Sequence, residues 1–172
     1  MFRIPFRKSF AVAATSAAAF AGLLVATPGA AHATGPQVRL SPLSNPFLFL
    51  DVQGGSHGDG APIVQWPLSG DNQLFTMQPS GSHFELINKA SNKCVTSDGV
   101  AGHQVYQWYC HGTANQLWDT SLVANNLISY PIRNVGSGLY LEVAGNSGAQ
   151  GAAIDTWYWN GGPNQYFNGA GS

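Results

Sequence analysis

Apolar and polar side chains alternate in short segments after residue 33, and glycine, asparagine or serine interrupts each segment. The clearest of these segments, rich in aromatic and β-branched residues, are Phe47–Val52, Phe84–Ile87, Val105–Tyr109 and Leu139–Val143. Such segments are typical of β-strands joined by turns. No apolar stripe at helical spacing extends over about ten residues in this region. The pattern therefore predicts an all-β domain.

A four-residue motif, Asn-Gln-x-aromatic, occurs three times in the chain. Its copies contain Asn72, Gln73 and Phe75, then Asn115, Gln116 and Trp118, then Asn164, Gln165 and Phe167. The glutamines are 43 and 49 residues apart, and a tryptophan precedes each glutamine by 7 or 8 residues. Such near-even spacing indicates an internal repeat. We expect the motif's aromatic residues to lie in the core and its glutamines to hold turns through backbone hydrogen bonds.

The repeats extend over about residues 38–78, 79–121 and 122–172. Each contains several strand-like segments, which predicts about twelve short strands in total. Three repeats are too few for a β-propeller, which needs at least about four blades. A closed, barrel-like domain with pseudo-threefold symmetry leaves few strand edges unpaired, so it fits the pattern better.

The first 33 residues have the order of a secretory signal peptide. A basic start is followed by an alanine-rich apolar run at Phe10–Ala26 and by the small residues Ala31 and Ala33. A membrane anchor is the alternative, but the run is short and poor in leucine for crossing about 30 Å of hydrocarbon. We therefore expect cleavage near Ala33, secretion without membrane insertion, and one mature domain at residues 34–172.

Export changes the interpretation of the charges and the cysteines. Removal of residues 1–33 leaves four basic and eight acidic residues, a formal charge of −4, which disfavours nucleic acid and anionic lipid as partners. Cys94 and Cys110 are an even number of cysteines in an exported chain, which favours a disulfide. The chain lacks histidines at the spacing that a tetrahedral zinc site needs, so no metal or other cofactor is expected.

Alignment of the repeats gives the two cysteines counterparts. They fall on the positions of Phe49 and Leu68 in the first repeat and of Tyr140 and Trp159 in the third. If the repeats fold alike, the two residues of each pair lie in contact. The contact is a disulfide in the second repeat and apolar packing in the first and third repeats. The alternative of two unpaired thiols gives no reason for matched positions.

The segments Phe49–Val52 and Asn115–Trp118, together with Cys94 and Cys110, resemble those of the ricin B-type lectin family. The hallmarks of that family are three repeats with a Gln-x-Trp motif and a β-trefoil fold. The likeness extends over about residues 38–167. It implies a β-trefoil that binds glycans, with galactose-like sugars as the first expectation and plant polysaccharides such as xylan as another.

The resemblance also implies shallow sugar pockets, each formed by an acid, an aromatic residue and the asparagine before the repeat glutamine. The residues at these positions are Asp51, Trp66 and Asn72 in the first repeat and Glu142, Asp155, Trp157 and Asn164 in the third. An aromatic ring covers the apolar face of a pyranose, and carboxylate and amide groups bind its hydroxyls. The second repeat has Thr96 in place of the acid and a shorter loop, so we expect it to be structural rather than a site.

Two details of the candidate pockets distinguish this chain. Val64 stands where the family often has a glutamine, and the adjacent Gln65 replaces it only if the strand slips by one residue. Strand alternation in the third repeat predicts an outward Trp157 and an inward Trp159.

A catalytic function and a protein-binding function are the alternatives to a lectin. A glycosidase needs two carboxylates about 5–9 Å apart, and Glu142 with Asp155 is the one pair that could share a pocket. The sequence has no nucleophile elbow and no phosphate-binding loop, so we expect no catalytic activity. A protein-binding or inhibitory β-trefoil remains the alternative, because a fold does not fix a function. The preferred sugar, the number of binding repeats and the oligomeric state stay open.

Overall fold

The computed structural model describes residues 35–120 and 129–171. Within these ranges the chain forms thirteen β-strands and five short 3-10 turns but no α-helix, which confirms the predicted all-β class. The strands are β1 (Gln37–Pro42), β2 (Leu48–Val52), β3 (Ile63–Pro67), β4 (Phe75–Ser80), β5 (His83–Asn88), β6 (Cys94–Thr96), β7 (Tyr106–Trp108), β8 (Trp118–Asp119), β9 (Ser129–Tyr130), β10 (Arg133–Asn134), β11 (Tyr140–Val143), β12 (Ile154–Trp157) and β13 (Phe167–Gly171). The predicted signal peptide, residues 1–33, lies outside the described residues.

A closed ring of antiparallel strands forms the barrel. Strand β1 pairs with β4 and β13, β4 with β5, β5 with β8, β8 with β10, and β13 with β9. Because β9 and β10 are consecutive pieces of one segment, the ring has two strand positions from each repeat. Ring closure pairs the strand edges that an open sheet would expose. The predicted β-trefoil architecture is thereby confirmed.

The third repeat differs from the others in one strand. Pro131 and Ile132 separate β9 from β10, because proline has no N–H to donate to the neighbouring strand. This interruption explains why the described residues contain thirteen strands rather than about twelve. Ile132 is nevertheless fully buried, so the break affects strand hydrogen bonding but not core packing.

Three hairpins, β2–β3, β6–β7 and β11–β12, carry the candidate site positions. In each hairpin the residue at the acid position lies directly opposite one residue of the second strand. These opposed pairs are Asp51 with Val64, Thr96 with Tyr106, and Glu142 with Asp155. Opposed residues on antiparallel strands have side chains on the same face of the sheet, so each pair presents its side chains together.

Fully buried apolar side chains recur in sets of three, one from each repeat. Four such sets are Leu40, Leu86 and Ile132; Leu50, Val95 and Leu141; Ile63, Val105 and Ile154; and Phe75, Trp118 and Phe167. Burial of a side chain of this size contributes about 1.5–3 kcal/mol. The last set confirms that the aromatic residues of the repeated motif belong to the core.

The predicted disulfide joins Cys94 and Cys110. Closing a loop of this length stabilises a fold by about 3 kcal/mol in the chain-entropy model. At the matched positions of the third repeat, the rings of Tyr140 and Trp159 lie 4.8 Å apart between centroids. The expectation that apolar packing replaces the disulfide there is confirmed.

The described residues contain no helix that is long and apolar enough to cross a membrane.

Candidate functional site

Each repeat has an open pocket at its hairpin. The pockets of the first, second and third repeats have volumes of about 440, 330 and 540 Å³. One indole lines each pocket: Trp66, Trp108 and Trp157, which are 40%, 36% and 41% exposed. The expectation of an outward Trp157 is therefore confirmed, and Trp66 is exposed to the same extent. A partly exposed ring on a pocket wall offers an apolar surface to a ligand.

In the first repeat, the repeated glutamine holds the acid in place. The side-chain amide of Gln73 donates to Asp51 Oδ2 and to the carbonyl of Pro67, both at 2.8 Å. Gln73 Oε1 accepts the backbone N–H of Ser69 at 2.7 Å, and the Ser69 hydroxyl donates to Asp51 Oδ2 at 3.3 Å. The predicted turn-holding role of the glutamine is confirmed. Its contact with the acid is an additional role that sequence analysis missed.

Asn72 completes the wall of the first pocket. Its Nδ2 donates to the carbonyl of Val52 at 3.3 Å, at the end of the strand that carries Asp51. The structure thus brings together Asp51, Trp66 and Asn72, the three residues that the sequence assigned to this site.

The third repeat repeats this arrangement with a longer acid. Gln165 Nε2 donates to Glu142 Oε2 at 2.7 Å and to the carbonyl of Tyr158 at 2.9 Å. Asn164 Nδ2 donates to the carbonyl of Val143 at 3.0 Å. The pocket is lined by Glu142, Gly145, Asn146, Asp155, Trp157, Asn160, Gly162, Pro163 and Asn164. All four candidate residues of the third repeat therefore line one pocket.

In the second repeat, the described residues that line the pocket include no carboxylate. It is lined by Gly60, Thr96, Tyr106, Trp108, His111 and Asn115. Thr96 Oγ1 takes the place of the acid, because it accepts Gln116 Nε2 at 3.0 Å and donates to the Cys94 carbonyl at 3.0 Å. The same glutamine geometry is thus kept with a neutral partner. That this repeat is structural rather than a site stays a prediction.

Comparison with known proteins places this arrangement in a family. The family model described as a ricin-type β-trefoil lectin domain-like module matches residues 23–101, 71–157 and 122–171. The chain belongs to the ricin-type β-trefoil lectin-like family. No curated protein sequence matches significantly.

Solved structures with the same lectin-like fold include single domains and parts of larger chains. The designed threefold-symmetric protein ThreeFoil is 26% identical with a TM-score of 0.72, over 79% of this chain and 99% of its own. The C-half of the earthworm R-type lectin, in complex with GalNAc, is 21% identical with a TM-score of 0.64, over 80% and 99%. An exo-β-1,3-galactanase from Clostridium thermocellum is 23% identical with a TM-score of 0.73, over 80% of this chain but 30% of its own.

Each pocket indole of the lectin-like domain packs on a glycine from another repeat. The closeness of each contact is shown by the distance from the nearest indole carbon to the place that a Cβ atom would occupy on the glycine. This distance is 3.5 Å between Trp66 and Gly151, 3.7 Å between Trp108 and Gly60, and 2.9 Å between Trp157 and Gly102. The three glycines have φ of 79–80°, a conformation that L side chains rarely adopt. The contacts follow one another around the pseudo-threefold axis, so each repeat supports the tryptophan of the next.

Gln65 and Gln107 hold loops of another repeat, a role that sequence analysis missed. Gln65 Nε2 of the first repeat donates to the carbonyls of Ser147 and Ala149 in the third, at 2.9 and 2.7 Å. Gln107 Nε2 of the second repeat donates to the carbonyls of Ser56 and Gly58 in the first, both at 2.8 Å. Each glutamine thus holds the loop that forms one wall of another repeat's pocket. The signal available in the sequence was the matched Gln-Trp pair at both positions.

The structure contradicts the prediction that Trp159 points inward, because this residue is 44% exposed. Strand β12 ends at Trp157, so strand alternation does not extend to residue 159. The strand of the first repeat does not slip, since Val64 stays opposite Asp51, and Gln65 does not replace the missing glutamine.

Burial governs the protonation of the pocket acids. Burial raises the pKa of Asp51 and of Glu142 above their ordinary values, while the glutamine hydrogen bonds oppose the shift. Burial together with the neighbouring Glu142 charge raises the pKa of Asp155 to about 6. The third pocket therefore holds two carboxyl groups that resist simultaneous ionisation. Among the described residues, no group of three or more His, Cys, Asp or Glu side chains could hold a metal ion.

The raised pKa of Asp155 predicts a pH-dependent stability. The folded protein retains this proton to about pH 6, whereas the unfolded chain loses it near the ordinary value of 3.8. The free energy of unfolding should therefore fall as pH rises from about 4 to about 6 and level off above it. We expect Asp155→Asn to reduce that fall and to be more stable than the wild type at pH 7. Urea denaturation at several pH values measures both; an unchanged slope in Asp155→Asn would contradict the assignment.

Proposed function

We propose that the protein is a secreted, non-catalytic lectin that binds galactose-like sugars or plant polysaccharide in the pockets of its first and third repeats. The observation that carries the proposal is the pairing, in both pockets, of an exposed indole with a buried acid whose position the repeated glutamine fixes. This pairing suits a pyranose, which has one apolar face and a rim of hydroxyls. The indole ring covers the apolar face of the sugar, and the carboxylate accepts hydrogen bonds from its hydroxyl groups. The GalNAc in the earthworm lectin structure supports a galactose-type ligand.

The placement of Glu142 and Asp155 supports a binding role over a catalytic one. Glycosidase carboxylates flank the scissile bond from two sides, about 5–9 Å apart. Glu142 and Asp155 are directly opposed residues of one hairpin, so their Cβ atoms lie about 4.5–5.5 Å apart on the same wall. Release of reducing sugar from a polysaccharide panel would overturn the non-catalytic assignment.

The sign of the charge and the number of pockets define how the protein would bind. The predicted mature chain carries a formal charge of −4, which disfavours polyanionic glycans. Shallow single sites bind weakly, so two pockets on one domain would gain affinity on a polysaccharide through multivalency. Secretion rests on the signal-like order of residues 1–33, and N-terminal sequencing of the exported protein tests it directly.

Removal of both acids is expected to abolish sugar binding. A glycan array identifies the ligand, and retention on a column that carries this glycan is then compared between the wild type and Asp51→Ala/Glu142→Ala. We expect retention to disappear, because both pockets lose the group that orients the hydroxyls. The charge-matched control, Asp71→Ala/Asp98→Ala, removes two acids outside both pockets and should be retained like the wild type.

A second double variant separates binding from stability. Trp66→Ala/Trp157→Ala removes partly exposed indoles, and it should lose retention while its thermal unfolding stays cooperative. Undiminished retention in both double variants would contradict the site assignment. A negative glycan array would instead favour the alternative of a protein-binding β-trefoil.

A further inference from the structure

Among the described residues, Glu142 and Asp155 together line the third-repeat pocket, and no lysine, arginine or histidine does. Within residues 35–120 and 129–171, the ion pairs are Lys89–Asp71, Lys93–Asp59 and His103–Asp98, and none of them reaches this pocket. The negative charge of the pocket is therefore not neutralised by a side chain of the described residues.

One carboxylate oxygen of Asp155 also lacks a hydrogen-bond donor. The residue is buried, with only 6% of its surface exposed. Its Oδ1 atom has no hydrogen-bond partner within the described part of the chain. Glu142, in contrast, accepts the amide of Gln165. A buried carboxylate oxygen without a donor is costly. A positively charged ligand beside the two carboxyl groups would offset this cost through its charge.

The second carboxyl group distinguishes this repeat from the others. The residue opposite the acid position is Val64 in the first repeat and Tyr106 in the second. Asp155 is thus not required by the fold, since two other side chains occupy the equivalent place. An acid beside another acid destabilises the unliganded pocket, which points to a role in ligand selection.

The surroundings favour an organic cation over a metal ion. Hard cations such as Ca²⁺ take about 6–8 oxygen ligands, often from several carboxylates. No group of three or more His, Cys, Asp or Glu side chains forms a candidate metal site in the residues that the structure describes. The Trp157 indole instead offers a flat wall to a ring, and aromatic faces also attract ammonium groups.

We propose that the third-repeat pocket selects a saccharide with a protonated amine, a hexosamine whose nitrogen is not acetylated. The sugar ring lies against Trp157, and its ammonium group donates to Asp155 and Glu142. This inference rests on the proposed lectin function and names the sugar class of one of its two sites. The first-repeat pocket, with Val64 opposite Asp51, keeps a preference for neutral sugars.

The charge argument gives binding a defined pH dependence. The residues that pair with Asp155 from its two sides are Glu142 and Gln104, and only Glu142 of these titrates. The other described residues that line the pocket carry no titratable side chain. Amine binding should therefore strengthen as pH rises through about 6, where Asp155 ionises. It should weaken again when the amine itself loses its proton.

The test follows the indole N–H signals of the purified protein by two-dimensional ¹H–¹⁵N NMR. Of the five tryptophans, Trp66, Trp108 and Trp157 each report on one pocket, while the buried Trp118 is an internal control. The titrants are D-galactosamine, N-acetyl-D-galactosamine and D-galactose, together with the three matching D-gluco sugars. We expect the amine to bind at Trp157 about tenfold more tightly than the acetylated or neutral sugar at pH 7, as a charge-assisted hydrogen bond predicts. No such preference is expected at Trp66.

Two variants test the residue assignment. Asp155→Asn keeps the side-chain volume and removes the charge, so it should abolish the amine preference at Trp157. Val64→Asp places a second carboxyl group opposite Asp51, and it should create an amine preference at Trp66. Together they keep the inference testable if one variant folds poorly.

The outcomes separate this inference from the lectin proposal. Equal affinity of the amine, acetylated and neutral sugars at Trp157 overturns the inference but leaves the lectin function intact. Neutral sugars that bind Trp157 more tightly below pH 6 overturn it in favour of a proton shared by the two acids. Calcium chloride that shifts the Trp157 signal and blocks the amine overturns it in favour of a metal site. If no sugar on the array or in the titration binds at any pocket, the lectin function fails as well.

Discussion

Replacing Trp118 with alanine is expected to destabilise the domain by about 3–5 kcal/mol, the usual cost of truncating a buried large aromatic side chain. Trp118 is fully buried, together with its counterparts Phe75 and Phe167. Its indole N–H donates to the carbonyl of Val95 at 3.1 Å. The variant loses packing at the centre of the barrel and leaves that carbonyl without its donor. Since a domain of this kind has about 5–15 kcal/mol of stability in total, the loss is a large fraction of it.

Urea denaturation, followed by far-UV circular dichroism, measures this effect. The control is Trp159→Ala, which removes the same side chain at a 44% exposed position and should cost less than half as much. Trp118→Phe should fall between the wild type and Trp118→Ala, because phenylalanine occupies the equivalent place in the other two repeats. Equal costs for Trp118→Ala and Trp159→Ala would contradict the core assignment.

Alanine at Gln65 is expected to weaken sugar binding in the third repeat, although Gln65 belongs to the first. The variant removes two hydrogen bonds to the loop that follows Ala144–Asn146, a turn on the rim of the third pocket. Each such bond contributes about 1 kcal/mol. If the loop spends less time in the conformation that forms the pocket, the apparent affinity falls in proportion to that loss. We expect the affinity of the third pocket to fall about tenfold. The first-repeat pocket should change less.

The matched control for this prediction is Gln107→Ala. Gln107 holds the loop of the first repeat by two equivalent bonds, so its removal should weaken binding at Trp66 and spare Trp157. NMR titration of the indole signals, with the ligand from the glycan array, resolves the two pockets in one experiment. The crossed pattern is the prediction. If each variant affected the pocket of its own repeat instead, the contacts between repeats would not control the loops.

The sequence predicted those features of the fold that depend on local pattern and on repetition. Alternation indicated the strands, and the Asn-Gln-x-aromatic motif placed Phe75, Trp118 and Phe167 in the core. The two cysteines of an exported chain favoured a Cys94–Cys110 disulfide, and the alignment of repeats predicted the contact that replaces it in the third repeat. These inferences needed no knowledge of how one repeat contacts another.

The features that the sequence did not predict depend on contacts between repeats. Gln65 lies 82 and 84 residues from the carbonyls that it binds, and no spacing rule relates such distant positions. The exposed position of Trp159 depends on where β12 ends, and strand ends are set by hydrogen bonding rather than by side-chain pattern. The sequence did indicate that Asp155 and Glu142 could share a pocket. The missing donor at Asp155 became visible only with the neighbouring side chains in place.

The pairing of the first and last strands has a consequence for protein engineering. Val38 lies opposite Gly171, so a short connector from residue 171 to residue 37 would join the two strands without disturbing the barrel. New termini could then open in the Gly81–Ser82 turn between β4 and β5. Such a circular permutant would begin with the second repeat and retain the glycine and glutamine contacts between repeats. The repeat that begins the chain is therefore expected to be exchangeable, provided that the cyclic order of the three repeats and their mutual contacts are kept.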